Sequence, residues 1–167
     1  SGDFFTDEQF HVLAVPQIGP GMEDGPYHDD FGRFRESGNP ADLYAFRTPT
    51  LLNVEVTGPY GHDGAYATLK GIVLHHLNPS RAIAEYDVTQ LEPTVQTQYL
   101  VFNTGRALAK LQENRNAGQK VIRDIRLTSK QINDLISFLL TLTDPCVKNK
   151  ACLASWLPDD NDTDPDG

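Results

Sequence analysis

Basic residues are scarce in this 167-residue chain, with 14 Lys and Arg against 23 Asp and Glu and a formal net charge of −9. That sign argues against nucleic acid as a partner, because polyphosphate would be repelled, and suits a basic docking protein. Long apolar runs are lacking too, so no stretch reads as a membrane-spanning helix. The sequence starts at Ser1-Gly2 without a signal-peptide pattern, and no internal repeat is visible. Methionine and tryptophan occur once each, at Met22 and Trp156, which leaves one thioether for metal chemistry. Cysteine occurs twice, in the run CVKNKAC at Cys146 and Cys152, with no histidine nearby, so zinc is not expected. The pair can be free or bridged. In an exported protein a local disulfide clamping this turn is the expectation.

What is present suits one globular domain. A chain of this length can bury a core, and 39% apolar with 22% charged residues is ordinary for a folded protein. The organising stretch is Phe46 to Pro79, FRTPTLLNVEVTGPYGHDGAYATLKGIVLHHLNP. It has a short β-like run at Leu51–Val56 and turns at Gly58-Pro59 and His62-Asp63-Gly64. Thr68 can cap the next helix through its hydroxyl, and Pro79 is a natural stop. Leu69, Ile72, Val73, His76 and Leu77 fall at helical spacing on one stripe, which aims His76 inward and puts His75 about 100° away. An inward imidazole is either a core histidine bonded to a carbonyl or a metal ligand.

FRTPTLLNVEVTGPYGHDGAYATL resembles the C-terminal haem domain of the bacterial dihaem cytochrome c peroxidases, a family that includes the MauG-type maturation enzymes. The resemblance extends through FFTDEQFHVLAVPQIGPG, FGRFRESGNPADLYAFRTP and LTSKQINDLISFLLTLTDP, in order, over most of the chain. It implies an all-α, cytochrome c-like fold with long loops and little or no sheet. It also implies haem c, with His76 as axial ligand where the peroxidases carry methionine and the MauG-type proteins tyrosine. His75 is the rival ligand, and Met22, in an unsupported loop, ranks below both. No Cys-x-x-Cys-His attachment motif is present. In the family an FFTDEQFH-like segment follows that motif, so the chain reads as a piece beginning just after it.

The same resemblance assigns further residues. Arg47 becomes a candidate for gripping haem propionates, since a guanidinium binds carboxylates bidentately. Arg33 and Arg35 are weaker candidates for the same role, and for all three arginines the alternative is surface solubility and pairing with Glu36 or Asp42. Phe34, Tyr44, Phe46 and Tyr60 supply apolar wall, and His62 falls near the haem. Thr57 and Pro59 match a Thr-x-Pro block that helps hold calcium between two haem domains through oxygen ligands, although a plain turn explains them equally well. Asp63 is explained by an Asx turn, and His28 reads as a surface histidine.

The rest reads as scaffold. Ser1 to Ala14 suggests a short Thr6-capped helix with Phe10, Leu13 and Ala14 inward and His11 exposed or bonded locally. Val15–Pro40 is loop and Ser80–Pro93 a connector. A helix interrupted near Gly105 carries Leu100, Leu108 and Leu111. Leu127–Thr143 is a helix with a Thr128/Gln131 capping box and a broad core face, stopped by Pro145. Trp156 is expected to fold back on the core. The domain spans 1–157, and 158–167 reads as an acidic disordered tail, its Asp/Asn pattern lacking the glutamate of a calcium loop.

The functional expectation is an electron-relay haem domain of a peroxidase-like oxidoreductase, periplasmic, with no catalytic residue of its own. Its implied partners are an N-terminal haem domain where hydrogen peroxide reacts, a small redox donor protein and, in some assemblies, a second copy as a homodimer. The alternatives are a plain electron-transfer cytochrome domain and a haem-free binding remnant.

Overall fold

The N-terminal stretch is extended rather than helical. In the computed structural model, which describes residues 4–119, 121–154 and 156, Phe10–Val12 forms strand β1 and Ala45–Arg47 forms strand β2. The two pair antiparallel, with His11 opposite Phe46. Thr6, expected as a helix cap, donates its hydroxyl to the Thr48 carbonyl across the chain. The local signals for a helix were weak, and pairing with the FRTP segment satisfies this backbone instead.

The remaining framework is helical. Helix α1 is one turn, Phe34–Ser37, and α2 spans Leu69–Leu77. Thr68 caps α2 by accepting from the Gly71 N–H at 3.0 Å. Pro79 does more than stop that helix. Lacking an N–H, it suits the first position of a new one, and α3 runs Pro79–Ala84 inside the expected connector. Helix α4 is continuous from Leu100 to Asn116, because a single glycine at 105 costs a helix about 1 kcal/mol and does not break it. Helix α5, Ser129–Leu140, carries the expected capping box between Thr128 and Gln131. The Val54-Glu55-Val56 run is a 3-10 turn rather than a strand.

Three small cores join these pieces. Val12, Ala14, Tyr44 and Ala45 pack on Ala107 and Leu111 of α4. Val15 and Ile18 pack with Ala65, Tyr66, Ile72 and Leu100. Val54, Val73 and Leu139 join α2 to α5. The long loop is pinned by side chains: the Gln17 amide exchanges two 3.1 Å bonds with the Asp30 backbone, and the Gln17 N–H donates to Thr104.

The face of α5 departs from the sequence expectation. Leu139 is buried, but Phe138 and Leu140 are 47% and 41% exposed and Ile132, Leu135 and Ile136 are half-buried. The chain therefore covers only part of a face that its spacing marked as core. Trp156, 82% exposed, does not fold back. The proposed 158–167 tail lies outside the described residues.

Cys146 and Cys152 are disulfide-bonded, with α-carbons 5.3 Å apart. The bridge ties a 3-10 turn at Pro145–Lys148 to α6, Lys150–Leu153, and Lys148 pairs with Glu55 on the core. Closing so short a loop stabilises by about 2 kcal/mol in the chain-entropy account. A Cys146→Ser/Cys152→Ser variant should lose that much in urea unfolding, and dithiothreitol should then have no further effect on it.

Candidate functional site

The GHDG turn and α2 together place the histidines. Tyr60 and Tyr66 bracket the turn, exchanging N–H···O bonds of 2.7 and 2.9 Å. Gly64 adopts φ +80°, and an added Cβ would lie 3.0 Å from Pro59, so the turn needs glycine there. Asp63 makes the Asx turn to the Ala65 N–H and also accepts from the Ile18 N–H at 3.0 Å. This clamps Tyr66 above the first turns of α2.

The phase of α2 differs from the stripe reading. His75 is fully buried, with Ile72 and Val73, while His76 is exposed. Burying His75 costs little because both its ring nitrogens are used. Nε2 lies 2.8 Å from the Leu13 carbonyl and Nδ1 lies 2.9 Å from the Tyr66 hydroxyl. A carbonyl only accepts, so Nε2 carries the proton, Nδ1 offers a lone pair, and the phenol donates to it. His75 is thus a satisfied core histidine with no free lone pair for a metal. His76 is the converse case. Its Nδ1 lies 2.9 Å from the Ile72 carbonyl and must donate to it, which leaves the Nε2 lone pair free. Metal-binding imidazoles are commonly held this way, with one N–H fixed by a carbonyl and the other nitrogen facing the metal.

Burial depresses the His75 pKa to about 4. The folded value lies below the unfolded value near 6.5, so this histidine's contribution is complete above pH 6.5. It is lost as pH falls toward 4, by on the order of 3 kcal/mol. Burial raises Asp63, which works in the opposite sense. In urea titrations at pH 7 and pH 4.5, a His75→Gln variant should lose less stability on acidification than the wild type. An identical loss in both would contradict this account.

The other expected residues lie in several places. Phe46 and His62 stack face to face, with centroids 3.6 Å apart at 15°. The Nε2 of His62 sits 3.9 Å from Asp30 and 3.8 Å from Asp63. Tyr60 donates to the Val54 carbonyl. Arg47 is exposed and lies 3.3 Å from Glu8, a surface pair worth little. Arg33 and Arg35 pair with Asp42 and Asp24. Thr57 and Pro59 are exposed on the turn, where the Thr57 hydroxyl donates to Val54. Met22 is 47% exposed and lines, with His28, His62 and Asp63, a cavity of about 290 Å³. His28 stacks on Tyr99.

Tyr66, Asp29 and Arg106 went unmarked in the sequence. A tyrosine nine residues before a double histidine is a usable signal for the first. Nothing in the local pattern marks the other two, which meet over 77 positions of chain.

No protein-family model matches the chain. Curated relatives do. The methylamine utilization protein MauG of Paracoccus denitrificans is 27% identical over 146 residues, covering 84% of this chain and 35% of that protein. The cytochrome-c peroxidase IdrP1 of Denitromonas iodatirespirans is 38% identical over 119 residues, covering 59% of this chain and 31% of that one. A crystal structure of a MauG-like protein associated with microbial copper homeostasis aligns at TM-score 0.54 and 27% identity, covering 86% of this chain and 35% of that chain. These similarities support a place for the chain in the dihaem cytochrome c peroxidase and MauG family.

The mostly helical fold with its two-stranded sheet matches that of the MauG-like protein, and the chain spans about a third of the length of these relatives. Among the described residues, no cluster of three or more His, Cys, Asp or Glu is arranged to hold a metal ion, and no helix is long and apolar enough to cross a membrane. The residue that fits a haem is His76, exposed on α2 with its Nε2 lone pair unspent; Leu74 on α2 and Phe138 and Leu140 on α5 are partly exposed apolar side chains that a macrocycle could meet. A flat apolar macrocycle with one imidazole ligand matches that donor set.

Proposed function

We propose that this chain is the electron-relay haem domain of a dihaem peroxidase-like oxidoreductase. The observation that supports this reading best is the fixed tautomer of His76, an exposed residue of α2 whose Nδ1 is bonded to the Ile72 carbonyl and whose Nε2 keeps its lone pair. Haem c bound there supplies a one-electron redox couple, tuned by its ligand and burial. His76 would ligate the iron through Nε2, and the second ligand would be the histidine of an attachment motif that this sequence does not contain. Phe46, which stacks on His62, and Tyr60 would supply apolar wall, and Arg47, now paired with Glu8, would grip a propionate. The carbonyls of Thr57 and Pro59 contribute to a calcium site completed from another domain.

The parent protein is then periplasmic. It takes electrons from a small donor protein and passes them to an N-terminal haem domain that reacts with hydrogen peroxide. Two histidine ligands would leave the iron no open position for peroxide, so this domain alone should turn over peroxide poorly. A pyridine haemochrome spectrum of the chain expressed with its preceding segment tests the cofactor, and a peroxide turnover assay on the parent tests the reaction class. Absence of covalent haem would favour a binding module, and haem without turnover a plain electron carrier.

A further inference from the structure

The Tyr66–His75 pair has a chemistry that haem ligation leaves unused. Tyr66 is 4% exposed, and its hydroxyl donates to the Nδ1 lone pair of His75 at 2.9 Å. The direction of that bond is forced, since the other nitrogen of His75 donates to the Leu13 carbonyl. A buried phenol hydrogen-bonded to a neutral imidazole has a proton acceptor already in place and is screened from the solvent that would quench a radical. His75 in turn neighbours His76, their ring centroids 6.3 Å apart.

We infer that Tyr66 is a redox-active tyrosine, a one-electron donor that relays oxidising equivalents to or from a haem held at His76. This rests on the haem reading above for its physiological oxidant, a one-electron oxidant of the haem class. In the step, Tyr66 gives one electron to the oxidant, its O–H bond breaks, and the proton forms a new N–H bond at His75 Nδ1. The products are a neutral phenoxyl radical, an imidazolium and an oxidant reduced by one electron. Return of an electron from a donor protein reverses each change.

The other phenols are less suited. Tyr86 packs edge-on against Tyr66, with centroids 5.4 Å apart, but its hydroxyl donates to the Ala65 carbonyl, which is too weak a base to keep a proton. Tyr60 likewise donates to a carbonyl. Tyr44 donates to the Asp29 carboxylate, but that oxygen is already engaged by the Arg106 guanidinium at 2.9 Å, and a proton delivered there would have to displace the ion pair. Tyr66 alone among these four donates to an imidazole, a neutral group basic enough to keep the proton.

The test is light-driven oxidation of the full chain by a photogenerated ruthenium(III) polypyridyl, freeze-trapping and electron paramagnetic resonance. No haem is needed in this arm, so its outcome is independent of the cofactor assignment, which the haemochrome decides separately. Wild-type protein should trap a tyrosyl signal, and Tyr66→Phe, which keeps the ring and its packing, should lose most of it. Tyr86→Phe and Tyr44→Phe should keep it. His75→Gln can still donate to Leu13 and accept from Tyr66 but cannot take the proton. It should also lose the signal, with far-UV circular dichroism unchanged. A signal undiminished in Tyr66→Phe, or undiminished in a folded His75→Gln, overturns the inference.

Discussion

A haem-loaded His76→Ala variant is expected to change from a low-spin to a high-spin absorption spectrum, while His75→Gln stays low-spin. The two histidines are adjacent, so the contrast depends wholly on their hydrogen bonds. His76 spends Nδ1 on the Ile72 carbonyl and keeps Nε2 available. His75 spends both nitrogens, on Leu13 and Tyr66. Freeing a nitrogen of His75 for iron would leave a buried carbonyl or phenol unpaired, at about 1–3 kcal/mol. Glutamine at 75 preserves those bonds and so separates ligation from folding. Imidazole at position 76 also donates more strongly than a methionine thioether. It should stabilise oxidised iron, and the haem potential should lie below that of a His/Met haem. A His76→Ala protein with an unchanged low-spin spectrum would move the ligand to His75 or Met22.

The α2 histidines also mark the limit of what the sequence carried. Helical spacing placed Leu69, Ile72 and Val73 on the inner side correctly, yet it chose the wrong histidine to bury. His75 lies at i+3 from Ile72 and His76 at i+4, and both spacings fit a buried stripe. What decides between them is a pair of long-range partners, Leu13 and Tyr66, of which the first is 62 positions away and invisible to any window. Capping was legible at Thr68 and Thr128 because it depends on residues three apart. The β1–β2 pairing was not, since it joins segments 37 positions apart (Phe10 to Arg47) whose local composition favours nothing strongly. The α5 face was legible as apolar but not as incompletely covered, because spacing reports what can be buried rather than what arrives to bury it.

Replacing Arg106 with methionine should cost the fold about 3–5 kcal/mol, the range seen when one member of a buried ion pair is removed. Asp29 is 0% exposed, and its Oδ2 accepts both the Tyr44 hydroxyl and the Arg106 Nη1 at 2.9 Å. Its Oδ1 is buried with no hydrogen-bond partner among the described residues. Arg106 is itself 36% exposed at the side chain, so it stays partly hydrated, whereas Asp29 cannot. Loss of the guanidinium therefore leaves the more deeply buried charge uncompensated. The same carboxylate bonds the long loop to the core: the Asp29 backbone pairs with Asp24, Tyr44 precedes β2, and Arg106 sits on α4. Loosening that point should also raise amide exchange through residues 22–30 ahead of global unfolding. Removing the charge as well, in an Asp29→Asn/Arg106→Met double variant, should recover part of the loss, because a neutral amide is cheaper to leave underbonded than a carboxylate. Urea unfolding of the two single variants and the double variant gives the coupling directly. A double variant less stable than Arg106→Met alone would mean that the carboxylate is held by its surroundings rather than by the guanidinium.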